Sequence, residues 1–94
     1  MQSIPETARS FFQEYDFSRL EVQTHAALII ERLLAYGNRA EIRWLFETYG
    51  VGRIRTWVEK DGERLLPQRR YELWRILLDI PVLQIAERRP VWPY

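Results

Sequence analysis

Apolar residues recur along this chain mostly at three- and four-residue steps, the spacing that lines one face of an α-helix. The clearest stripe is Val22, Ala26, Ile29, Ile30, Leu33 and Leu34, which predicts a helix from about Glu21 to Tyr36 with Glu31 and Arg32 on its other face. Gly37 follows, where a left-handed residue closes a helix at no steric cost. Asn38 then stands as the N-cap of a second helix, with Glu41 three residues on, a variant of the capping box. That helix, about Arg39 to Tyr49, stripes Ile42, Leu45, Phe46 and Tyr49 with Trp44 alongside, and Gly50 is expected to end it as Gly37 ends the first. So short a connection makes the two helices spatial neighbours.

Beyond Gly50 the period continues less cleanly. Val51, Ile54, Trp57 and Val58 predict a third, shorter helix that points Arg53 and Arg55 outward. Lys60-Asp61-Gly62-Glu63 reads as a polar turn. Pro67 suits the start of a fourth helix, about Gln68 to Asp79, which is expected to bury Tyr71, Trp74, Leu77 and Leu78 with Leu73 and Ile76 widening the stripe. Pro81 stops it. Residues 1–20 form a lead-in, with a short helix from Glu6 to Phe12 behind Pro5 and an aromatic run from Phe11 to Phe17 expected to fold back onto the core. The tail, Val82 to Tyr94, has Pro90 and Pro93 around Val91-Trp92 and is expected to end extended. Together these elements predict one all-α domain over residues 1–81, a compact bundle of four to five short helices, with an extended C-terminal tail over 82–94.

Composition sharpens this picture by exclusion. The chain has 94 residues, and its 47% apolar content supports a real core. Without cysteine there are no disulfides and no thiolate metal sites, which fits a reducing cytoplasm. No apolar run approaches the roughly 18 residues a membrane-spanning helix needs. Met1 to Ser10 also lacks the order of a secretory signal. A soluble, cytoplasmic protein is expected. Residues 1–50 hold five arginines against seven acids, net −2, whereas residues 51–76 hold six arginines and Lys60 against four acids, net +3.

No set of residues carries catalysis. Ser3, Ser10 and Ser18 all lie in the lead-in without a partner base. The single histidine, His25, lacks ligand spacing, and Glu14, Asp16 and Glu21 do not match a calcium loop. Gly50-Val51-Gly52 follows a helix where a dinucleotide fingerprint requires a strand. No enzyme activity, metal or cofactor is expected. Binding is the remaining class. Arg53, Arg55, Arg64, Arg69, Arg70 and Arg75, with Trp57 and Trp74 interleaved, form either a basic surface for nucleic acid or a solvated helix face over buried tryptophans. In the tail, Trp92 and Tyr94 either pack over the core or anchor a protein–protein interface.

These segments resemble a family of small helical bacterial proteins commonly encoded directly upstream of nucleotidyltransferase-like toxins of the AbiEii/AbiGii class. The matching features are Phe12-x-x-Tyr15-Asp16-Phe17, Leu28-Ile29-Ile30-Glu31-Arg32-Leu33-Leu34-x-Tyr36-Gly37 and Ile42-Arg43-Trp44-Leu45 with Tyr49-Gly50. Ile54-Arg55-x-Trp57, Leu66-Pro67-x-Arg69 and Leu73-Trp74-x-x-Leu77 complete the series. The resemblance spans roughly residues 11–81 and implies an antitoxin that holds its cognate toxin in check. The alternatives are a regulator that binds operator DNA through residues 51–76 and a homodimeric structural protein.

Overall fold

The apolar stripe of the first helix becomes the centre of the molecule. In the computed structural model, which describes residues 3–80, α1 runs from Ala26 to Tyr36 and buries Ile29, Ile30, Leu33 and Leu34 almost completely. Around it pack a 3-10 helix (Glu6–Phe12), α2 (Arg39–Tyr49), α3 (Val51–Trp57) and α5 (Gln68–Leu77). Between α3 and α5 lie a π-helical turn (Val58–Gly62) and α4 (Glu63–Leu65), and a second short 3-10 turn spans Phe17–Arg19. The fold is all-α, with no strand among the described residues. A helix that is apolar on more than one side must be wrapped by neighbours, and α1 is covered along most of its length, with Ala27 and Tyr36 left exposed.

The α1–α2 hairpin forms as its capping residues dictate. The Asn38 side chain accepts the Glu41 amide at 2.9 Å while the Glu41 carboxylate accepts the Asn38 amide at 2.8 Å, completing the capping box. Glu41 is itself buried, and its second oxygen accepts the Thr7 hydroxyl, so the cap also ties the lead-in to α2. The two glycines differ in their reasons. Gly37 has φ −69° and ψ 149°, ordinary extended backbone, so the expected left-handed cap is not formed. A Cβ there would lie 2.5 Å from the Leu33 carbonyl oxygen, so glycine is required by close approach. Gly50 has φ 87° and ψ 151°, a region essentially reserved for glycine. It ends α2 and opens α3 at once: its amide donates to the Phe46 carbonyl and its carbonyl accepts from Ile54.

Three boundaries differ from the sequence reading. α1 starts at Ala26, because Glu21 to His25 form a separate turn in which the Glu21 amide donates to His25 Nδ1 at 2.8 Å. That bond gives the lone histidine a structural role. The expected polar turn at 60–63 is instead the π-helical turn, so the backbone stays helical from Val51 to Leu65. Its Gly62 is buried where a Cβ would meet Val58 Cγ1 at 3.0 Å and the Tyr71 ring at 3.2 Å. Read locally, Lys-Asp-Gly-Glu is a turn; packed against Tyr71, it is a helix that needs a missing side chain. Finally, α5 ends at Leu77, short of Asp79. The Ile80 amide reaches back to the Arg75 carbonyl and the Asp79 amide to Ile76, a Schellman motif with Asp79 at φ 56° in the position glycine usually fills. This turn stops the helix before Pro81 is reached.

The lead-in is held by specific contacts in addition to apolar ones. Phe12 is buried, as the aromatic run predicted, and Phe11 and Phe17 are partly so, although Tyr15 is exposed. Arg32, read as facing away from the core, sits under this segment. It donates to the Phe11 carbonyl at 2.7 Å and grips both oxygens of Glu14 at 2.7 and 3.1 Å. That hydrogen-bonded pair lowers the Glu14 carboxyl below its usual range and raises Arg32.

Candidate functional site

α5 was expected to bury one broad apolar stripe, and it has two. At about 100° per residue, Tyr71, Trp74 and Leu78 fall on one side, and Leu73, Ile76 and Leu77 fall on the other. The first set is buried against α1 and the π turn. The second is exposed, Leu73 by 44%, Ile76 by 65% and Leu77 by 63%, which corrects the expectation that Leu77 joins the core. The core face is filled by Tyr71, Trp74 and Leu78, and among the described residues no helix covers the opposite side. Arg69, also exposed, lies one turn before Leu73 on this outer side. A short apolar row with a guanidinium at one end is the composition of an interface anchor.

The arginines singled out from the sequence do not act together. Arg70 is structural: its Nε donates to the Leu34 carbonyl at 2.8 Å and its Nη2 to the Gly37 carbonyl at 3.3 Å. Trp74 Nε1 donates to the same Leu34 oxygen at 3.0 Å. These bonds satisfy carbonyls at the C-terminal end of α1, where a cation is also favoured by the helix dipole. Arg55 is committed too, through Glu59 at 3.5 Å and the Asp79 carbonyl at 3.2 Å. Arg64 pairs with Asp61 and Arg75 with Glu72, each at 2.6 Å. Of Arg53, Arg55, Arg69 and Arg70, only Arg53 and Arg69 remain exposed, and Arg53 lies over the Tyr49 ring at 5.2 Å. Trp57 and Trp74 are buried, as the solvated-face reading of this segment requires. Trp92 and Tyr94 lie outside the described residues.

Tyr49 connects this region to the turn at Glu21 to His25 that precedes α1. Its hydroxyl donates to the Val22 carbonyl at 2.6 Å, its ring meets Trp44 edge-on, and burial pushes its pKa up to about 12 despite the opposing charge of Arg53. It therefore stays a neutral donor throughout the physiological range. Among the described residues no group of three or more histidine, cysteine or acidic side chains could hold a metal, and no helix is long and apolar enough to cross a membrane.

The outer face of α5 is what the sequence reading missed. The signal was present in the helical angles of Leu73, Ile76 and Leu77 against Tyr71 and Trp74, since six apolar positions in eight residues exceed what one face can hold. No curated protein and no solved structure matches the chain. A family model described as a family of unknown function, DUF6922, matches residues 8–58, from the first 3-10 helix to the start of the π turn. That stretch is more than half of the 94 residues, and the chain belongs to the DUF6922 family.

Proposed function

We propose that this protein is a binding module that docks a partner protein on the outer face of α5, and that it acts as an antitoxin toward a nucleotidyltransferase-like toxin. The observation that carries the docking reading is the exposed row Leu73, Ile76 and Leu77, bordered by Arg69, on a helix whose other side is locked into the core. A rigid helix presenting aliphatic side chains suits the groove of a partner. The toxin as partner is supported by the motif series resembling proteins encoded beside such toxins. The operator-DNA alternative has less support, since Arg55 and Arg70 are spent on internal bonds and Arg64 and Arg75 on ion pairs, leaving Arg53 and Arg69 as its exposed candidates.

Co-expression with the protein encoded by the neighbouring gene tests this. A complex surviving size-exclusion chromatography and relief of that protein's growth defect are expected, with binding weakened more than tenfold by Ile76→Ala/Leu77→Ala. Absence of both complex and relief would refute the proposal. A complex indifferent to the α5 substitutions would refute the docking face alone.

A further inference from the structure

A second surface feature shares no residue with the α5 face. Between the start of α1 and the α3–π rod lies a cleft of about 380 Å³, inside the range of small-ligand sites. On the α1 side it is lined by Ala26, Ala27 and Ile30, two of them small enough to leave the space open. Trp57 and Ile30, both buried, give it an apolar wall. Arg53 and Lys60, seven residues apart and so on one side of the rod, stand at its edge.

The charge of this cleft is one-sided. Its acid, Asp61, is neutralised by Arg64 at 2.6 Å. Arg53 lies over the Tyr49 ring instead of an acid, and neither Arg53 nor Lys60 forms an ion pair among the described residues. Two cations at a concave site with low-dielectric walls attract an anion more strongly than the same charges on a flat surface. Lys60 and Asp61 belong to the π-helical turn, and such turns recur at functional sites. Arg53 lines the cleft, and the Tyr49 ring under its guanidinium already restrains that side chain, reducing the ordering cost of binding.

We infer that this cleft binds a small phosphate monoester, with its phosphate between Arg53 and Lys60 and its organic group against Ile30 and Trp57. Arginine offers the phosphate a planar pair of donors and lysine a point charge, and the apolar wall distinguishes an ester from the free ion.

Titration of the isotopically labelled full chain, followed by amide and indole NMR shifts, tests the inference with three probes: phenyl phosphate, inorganic phosphate and phenol. Phenyl phosphate should give saturable shifts at Ala26, Ala27, Trp57 and Lys60. It should bind at least tenfold more tightly than inorganic phosphate, while phenol should not saturate. Arg53→Gln and Lys60→Gln, both at exposed positions, should each weaken phenyl phosphate at least fivefold. Arg39→Gln, on an exposed residue outside the cleft, should leave it unchanged. Absence of saturable shifts at these residues would overturn the inference, as would affinity indifferent to Arg53 and Lys60. Equal affinity for inorganic phosphate would overturn the ester assignment. No partner protein is needed, so failure here is separate from failure of the docking reading.

Discussion

Arg69 and Arg70 are neighbours in the chain and opposites in the structure. Arg70 reaches inward to the last carbonyls of α1 beside Trp74, whereas Arg69 lies exposed one turn before Leu73. The same division runs along all of α5: Tyr71, Trp74 and Leu78 inward, Leu73, Ile76 and Leu77 outward. Both faces are apolar, yet among the described residues only one is buried against a neighbour. Hydrophobicity therefore does not decide burial in this helix. The hydrogen-bonding edge does, because the carbonyls at the end of α1 need donors, and only the face carrying Arg70 and Trp74 supplies them.

That contrast gives predictions of decreasing size. Trp74→Ala removes the largest inward side chain together with the bond to Leu34, and should cost about 3–5 kcal/mol in urea unfolding. Much of a domain's stability is of that order, so partial unfolding at room temperature is expected. A loss below about 1 kcal/mol would mean that α5 is not locked to α1 as described.

Arg70→Ala should cost about 1–3 kcal/mol, since a buried carbonyl loses a charged donor while Trp74 still serves Leu34. Arg69→Ala should stay within about 0.5 kcal/mol of the parent. Equal effects of the two substitutions would erase the distinction between the faces.

As small as the Arg69 effect, Ile76→Ala/Leu77→Ala should leave stability within about 0.5 kcal/mol, because exposed side chains contribute little to folding. A loss above about 1 kcal/mol would mean that another part of the chain covers this row in solution.

Much of the fold was legible because its determinants are local. The Asn38–Glu41 box, the glycine ending α2 and the stripe Ile29-Ile30-Leu33-Leu34 each lie within a turn or two of what they control. Readings failed where a specific close contact intervened, in most cases from a distant part of the chain. Gly62 looked like a turn residue, and the ring of Tyr71, from the next helix, makes it a packing residue inside a π turn. Gly37 looked like a left-handed cap, and its own neighbour Leu33 makes it a close-approach glycine. Arg32 looked solvated until the lead-in folded over it. The candidate site was legible only in part: Arg53 and Arg69 were rightly placed outside, while Arg55 and Arg70 were drawn into internal bonds.

The sequence by itself determined that this chain is helical, where its hairpin turns, and that residues 51–76 carry an excess of arginine. Periodicity, capping and charge are properties of neighbouring residues, and they survive in any arrangement of the helices. Only the tertiary structure decided which arginines remain free and which side of α5 meets the core. Those outcomes depend on atoms far apart in the chain, Leu34 and Gly37 with Arg70, Leu34 with Trp74, and Asp79 with Arg55. A guanidinium is available to a partner only when no buried carbonyl claims it first.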